Sequence, residues 1–486
     1  TLSLTAGGSI NGSADDTAEI DADGNVTFSA NGIGNAAQVE ITGDAGGDRT
    51  LTITSTGANA VNIQELTDQF NQVTITQQNA ANNIDIDFSD ADTIDINGGG
   101  SVALNNIATN AGNEAFTYTL SAAGVAVDLT TVNTGTAALS ITASAAITQT
   151  NAITAGAATF AAGAANSITL NNIGNDFTGA VTITSGNNVT LRDASTIDLG
   201  ASTVSGNLIV TAVTGNITDS GVLAVTGTSN FTTNAANADI TLDQISSFTG
   251  AVSLATNGAT GDISLTNAAI ALNLGTITTT LGGALVIETN AGSITDSGVI
   301  TASGTSSFTT STANDDITLD SINLFTGAVS LSTNGATGNI SVTNTGAALV
   351  LGTVSTTAGG SLAIENDAGG ITDTGVITAT GTSSFTTTGA GDDITLNSLS
   401  SFTGAVSLNT AAGAGNDASL TNAQIALDLG ASTVGGTFTI ETDAGSITDS
   451  GVLTITGASS FTTSTANDDI TLDQISSFTG AVSLAT

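Results

Sequence analysis

The chain has 486 residues, and its 42 acidic side chains stand against 2 basic ones, a formal net charge of −40 with no histidine. So acidic a surface repels phosphate backbones and anionic membranes, and the Lys/Arg footprint of nucleic-acid binding is missing. Forty per cent hydrophobic residues argue for a folded chain, while the absence of cysteine, proline and methionine excludes disulfides and Cys/His metal sites.

From the amino terminus, residues 1–140 show short alternating segments such as "QVTITQQ", "NIDIDF" and "SVALNN" without a clear long repeat. They read as divergent solenoid coils. Residues 141–216 hold a shorter, roughly 70-residue repeat, beginning near "AITQTNAI" and carrying Phe160 and Phe177. Residues 217–486 are tandem repeats. "GSITDSGV" and its relatives place Asp219, Asp296, Asp373 and Asp449 at spacings of 77, 77 and 76, and "FTGAV" recurs at Phe248, Phe325, Phe402 and Phe478. Residues 471–486 are identical to residues 241–256, so the chain reads as a window cut from a longer polypeptide that continues past its last residue.

Within the long repeat, isoleucines that follow Gly, Asn, Asp or Ser fall at 217, 240, 263, 294, 317, 340, 371 and 394, in steps of 23, 23 and 31. The commonest step is too short for a β-α-β crossover, which takes about 30 residues or more. Overlaying the units aligns Phe231 with Leu254 and Ile277, Val225 with Phe248, and Val222 with Ile245, the stacked apolar columns of a coiled parallel sheet. The expected fold is all-β: a right-handed parallel β-helix (β-solenoid) with about three coils per 77-residue repeat and roughly 19 coils at about 4.8 Å each. The eight extra residues of the third step, around "TTTLGGALV" (278–286), are expected as a protruding loop or an extra strand.

An enzyme is not expected. Polysaccharide-cleaving β-helices gather carboxylates or a strong base in one cleft, whereas here the acids are spread periodically and the single tyrosine, Tyr118, stands alone. Ice binding needs two unbroken threonine columns. One runs through Thr218, Thr241, Ser264, Thr295 and Thr318, but its neighbour is interrupted by Asp243 and Asp320. Calcium is the stronger candidate. A column ahead of the leading isoleucines contains Asp239 and Asp262, and the doublets Asp315–Asp316, Asp392–Asp393 and Asp468–Asp469 fall in it. Stacked carboxylates about 5 Å apart would welcome a hard cation. The competing reading is that Asp, Asn and Gly populate turns. The acidic stretches "DADGN" (21–25) and "DIDFSDADTIDING" (85–98) pose the same choice. No cofactor is required, and Ca2+ is the one ion the pattern would accept.

The aspartate of "GSITDSGV" stands two residues after an isoleucine, where alternation asks for an apolar side chain. In the neighbouring coils that place holds Leu319 and Val342, and in the shorter repeat it holds Gln149. Because an amide can stand there, the expectation is a turn cap. Asp296 should end its strand early, point outward, and accept N–H bonds from Ser297 or Gly298.

Glycine-flanked short strands, Asn/Thr/Ser-rich faces, no cysteine and long tandem repeats resemble the giant secreted β-solenoid proteins of bacteria, the filamentous-haemagglutinin-like and autotransporter-type adhesins. The resemblance implies an extracellular structural protein: a rigid filament or adhesin stalk at the bacterial cell surface. Its implied partners are further copies of itself in fibres, other surface or matrix components, or glycans on a host or neighbouring cell, with no nucleic acid and no membrane insertion. The alternative is a calcium- or glycan-binding surface module of a large adhesin.

Overall fold

Alternation of one apolar and one small polar residue, as in "ITLDSINLF" or "VSLST", makes strands with one buried and one solvated face, and the chain is built almost wholly from such pieces. The structure is a computed structural model. It describes residues 126–486 apart from 269–270 and 424–425, and before residue 126 little more than the strands. The chain divides into two compact units, Thr1–Ala235 and Ala236–Thr486.

In Ala236–Thr486 every turn contributes strand to each of two parallel sheets, in places as two short strands such as Ile294–Asp296 and Ile300–Ala302. On the first face the register runs Ile240↔Ile263, Ile263↔Leu285, Leu285↔Ser306 and Ser306↔Val329. On the second it runs Leu272↔Ile294, Ile294↔Ile317, Ile317↔Ile340 and Ile340↔Leu362. Each such step is one turn of the coil; over both units the β-solenoid has about 17 turns, slightly fewer than expected. Inward columns such as Leu265–Ile287–Phe308–Leu331 are fully buried. Each such side chain contributes about 1.5–3 kcal/mol by leaving water. The two sheets meet through the core: Phe308 of one face and Phe325 of the other pack edge-to-face at 5.9 Å, as do Phe385 and Phe402 at 6.0 Å.

The β-solenoid and its stacked columns are as expected, and Leu254 does lie on Ile277. The number of turns per repeat differs. Strand Ile240–Phe248 belongs to the first face, its copy Ile317–Phe325 to the second, Ile394–Phe402 to the first again, and Ile470–Thr471 to the second. A 77-residue repeat therefore makes three and a half turns, and successive copies of one sequence occupy opposite faces. The two 23-residue steps are single turns. The 31-residue step is one and a half: its extra residues supply strand Leu285–Thr289, entered through a turn at Leu281 and Gly282 with positive φ. The extra strand is thus the form that the longer step takes.

In Thr1–Ala235 the turns from residue 127 are slightly tighter and at first three-sided. Val127–Leu129, Val132–Asn133 and Leu139–Thr142 form one turn, and Ile147–Gln149, Ile153–Ala155 and Ala158–Ala161 the next. The register Val127↔Ile147, Ile147↔Ile168, Ile168↔Val189 and Val189↔Leu208 advances in smaller steps than the register of Ala236–Thr486. The repeat at 141–216 is shorter because its turns are shorter. Tyr118 lies fully buried in this unit, in register with Ile96 and Ile141.

Candidate functional site: the acidic columns

A parallel ladder satisfies strand backbones, but every place where the coil enters or leaves a strand leaves N–H groups without a carbonyl opposite. The aspartates of the predicted calcium column stand at such places. Asp239 Oδ1 accepts the N–H of Asp262 on the next turn at 2.9 Å, and Asp262 Oδ1 accepts that of Ala284 at 2.7 Å. Asp316 Oδ1 takes Asn339 N–H at 2.7 Å, and Asp393 Oδ1 takes Asp417 N–H at 2.8 Å. Asn339, Asn188 and Asn207 do the same with their amide oxygens. Ser293 and Ser446 do it with hydroxyls, accepting from Asp316 and Asp469. The position needs an acceptor of short reach, which explains why Asp, Asn and Ser alternate freely in it.

The first member of each doublet reaches the opposite way. Asp315, Asp392 and Asp468 each place Oδ2 2.7–2.8 Å from the N–H of a glycine on the preceding turn, Gly292, Gly369 and Gly445. Those glycines open the "GSITD" motif in the left-handed region, with φ of 89°, 87° and 97°. The doublets Asp315–Asp316 and Asp392–Asp393 thus tie three turns together, one carboxylate down and one up. Among the described residues no three acidic side chains converge as a metal-ligand group. The stretches 21–25 and 85–98 lie outside the residues whose side chains are described.

Asp296 ends its strand as expected, Ile294–Asp296 being followed by a bend. Its direction corrects the expectation. It stands on the inward face in register with Leu274, is only 9% exposed, and its partners lie on the next turn. There the strand Ile317–Phe325 lifts three residues outward, Asp320-Ser321-Ile322, and slips register against the following turn between Leu319 and Asn323. Asp296 Oδ1 accepts the exposed N–H groups of that bulge, Asp320 at 2.9 Å and Ser321 at 3.3 Å, while Oδ2 accepts the Asn323 amide at 2.6 Å. Ser297 N–H, the partner first expected, bonds Leu274 O instead. The local alternative failed because a bulge one turn away offers two N–H groups together, whereas the bend beside Asp296 is already paired.

The copies behave alike: Asp373 accepts from Asn397 and Ser398, and Asp449 from Asp473 and Gln474. In the shorter repeat Gln149 Oε1 accepts from Asn172 N–H at 3.2 Å and the Asn175 amide at 2.9 Å. A neutral amide performs the same task, so the task is hydrogen bonding.

Sequence reasoning missed the residues that close the bulge from within. Asn323, Asn344, Asn267 and Asn422 are fully buried. Their Oδ1 atoms accept Ile300, Phe325, Phe248 and Phe402 N–H at 2.7–3.1 Å. The signal available was an asparagine at an inward position of "ISLTN", "ISVTN" and "ASLTN". Two further apolar assignments are corrected: Val222 and Ile245, aligned as a core column, are exposed, Ile245 because it sits on the outward bulge and Val222 because it sits in the bend that follows Asp219.

Burial pushes the carboxyls of Asp193 and Asp373 above the usual carboxylate range, against the lowering effect of the N–H groups they accept. A raised acid binds its proton more tightly folded than unfolded. Its stability contribution is therefore present in full below the ordinary value near 4 and is lost as pH rises through the folded value. Lowering pH from 7 to 4.5 also relieves self-repulsion in so acidic a chain. The melting temperature, followed by far-UV circular dichroism, should rise by a few degrees over that interval; a fall would contradict the assignment.

Five consecutive segments, residues 113–184, 186–255, 260–332, 337–409 and 415–485, match the family described as repeats of unknown function (DUF5649). The chain belongs to this repeat family. Each DUF5649 segment contains one residue at this motif position, Gln149, Asp219, Asp296, Asp373 and Asp449 in order, and Gln149, Asp296, Asp373 and Asp449 cap bulges as described. The inward polar position thus breaks the apolar columns on a fixed schedule, as the buried asparagines Asn267, Asn344 and Asn422 do. No curated protein and no solved structure matches the chain.

Proposed function

We propose that this DUF5649 chain is an extracellular structural protein, a rigid β-solenoid filament or adhesin stalk at the bacterial cell surface. The observation that supports this most is the use made of the acidic column. All eight residues that looked like calcium ligands link one turn to the next. Asp469 does so through its backbone N–H and the other seven through their carboxylates. Repetition of one such linkage supplies length and stiffness. Two basic residues in 486 leave trypsin two sites, and no methionine or cysteine is present to oxidise, traits that suit exposure outside a cell.

On intact cells of the source organism, antibody against the repeats should label the surface without permeabilisation. Label that appears only after permeabilisation would overturn the proposal. Chelation separates the structural reading from the calcium one: with EDTA the melting temperature should stay within about 1 °C, because the carboxylates already have N–H partners, whereas site-bound calcium would make it fall steeply. A glycan-binding reading has one feature in its favour. A shallow groove of about 150 Å³ on the second face is lined by Ser341, Thr343, Ala363, Glu365, Ser384 and Thr386. Hydroxyls and one carboxylate there suit a sugar, and a glycan array with Glu365→Ala as control tests it.

A further inference from the structure

The bulges have an outer side as well as an inner one. Within Ala236–Thr486 each carries an aliphatic side chain into solvent: Ile245, Ile322, Leu399 and Ile475, the middle two 68% and 56% exposed. One turn earlier, at the same place above Asp296 and Asp373, stand Val299 and Val376, 44% and 47% exposed. Val299–Ile322 lies on the second face and Val376–Leu399 on the first. Threonine, serine or glycine would serve the bend equally well, yet the repeat restores an apolar pair every time. The three-and-a-half-turn period then sets the pairs alternately on opposite faces, about 17 Å apart along the axis and about 34 Å apart on one face.

We infer that these pairs are contact points for side-by-side association between copies of this chain. One aliphatic pair covers only a small part of the roughly 1,200 Å² a stable interface needs, so a partner must engage several at once. It must therefore present apolar groups at the same axial period. A second copy has that period on both faces. Setting the first face of one copy against the second face of the next, staggered by three and a half turns, brings pair to pair and leaves a free face on each side. This is a heterologous contact that propagates into a layer. Asp320 is exposed beside Ile322, and both copies are acidic. Association should therefore strengthen with salt, opposite to the weakening expected for a basic partner. The inference does not depend on where the chain resides.

Sedimentation velocity of the purified 486-residue chain at micromolar concentration tests it. Raising NaCl from about 0.05 M to about 1 M should move the wild-type chain into larger species, at least doubling the mean mass. The variant Val299→Ser, Ile322→Ser, Val376→Ser, Leu399→Ser should stay monomeric with unchanged circular dichroism. A wild-type chain that stays monomeric throughout, or a folded variant that associates equally, overturns the inference. If the fourfold variant misfolds, cysteines placed on the two opposed faces of a chain that has none decide: under oxidation and high salt, Asp320→Cys mixed with Asn397→Cys, the matching position on the other face, should form covalent dimers several-fold faster than Asp320→Cys mixed with Thr305→Cys at a corner. Equal rates from the two mixtures, or no dimer from either, also overturn it.

Discussion

Replacing Asp296 with leucine should destabilise its repeat by about 3–5 kcal/mol, although leucine is what the column suggests. Leu274 stands below that position and Leu319 and Val342 follow it in the same alignment, so a consensus design would choose an apolar residue there. The structure argues the reverse. Leucine would remove both carboxylate oxygens and leave the N–H groups of Asp320 and Ser321 and the amide of Asn323 without their acceptor. Each stranded donor costs about 1–3 kcal/mol. Asn323 would then lose the anchor that aims its Oδ1 at Ile300 N–H. Repeat proteins need not unfold in one step, so local amide exchange is the better readout. Exchange at Asp320 and Ser321 should quicken about 100-fold or more, since each 1.4 kcal/mol is a factor of ten. Asp296→Gln should lose far less, because Gln149 caps the equivalent bulge. Unchanged exchange in the leucine variant would mean that the bulge holds itself.

The same residues show what could and could not be read from the sequence. Strands, stacked columns and the repeat were legible because each depends on alternation, which a strand carries in its own residues. The half-turn was not. "ITLDQISSF" at 240 and "ITLDSINLF" at 317 have the same pattern of inward and outward positions whichever face they join, so the pattern is blind to the alternation of faces. It becomes visible only when Ile263 is found under Leu285 and Ile294 under Ile317. The acidic column was found but its chemistry was undecided for a similar reason. A carboxylate that accepts an N–H from the adjoining turn looks, along the chain, like one that awaits a cation. Gln149 was the informative residue, since it argued for a cap before any geometry was known. The outward bulge itself was hidden: Ile245 passed for core because the bulge breaks the two-residue period without any Gly or Pro to announce it.

Gly327→Ala should cost about 3 kcal/mol or more, and the reason is distance rather than backbone conformation. The glycine of "FTGAV" sits at a corner where four successive turns carry glycine, Gly261, Gly283, Gly304 and Gly327. A Cβ on Gly327 would lie 2.1 Å from the carbonyl oxygen of Gly304, and one on Gly283 2.1 Å from that of Gly261. The later copies repeat this, Gly404 against Gly381 and Gly480 against Gly457, each at 2.2 Å. The obstacle is backbone held at the spacing of about 4.8 Å that the whole ladder enforces, so relief requires neighbouring turns to part and their hydrogen bonds to lengthen. Gly346 supplies the control. Its φ is +84°, a region that alanine enters at about 1–2 kcal/mol, but the nearest atom to an added Cβ is a leucine methyl at a comfortable 3.6 Å. Compared by thermal melting and amide exchange, Gly327→Ala should be the more damaging, with protection lost on both turns that meet at the corner. If Gly346→Ala proves the worse of the two, close approach of adjacent turns is not what keeps glycine at the corner.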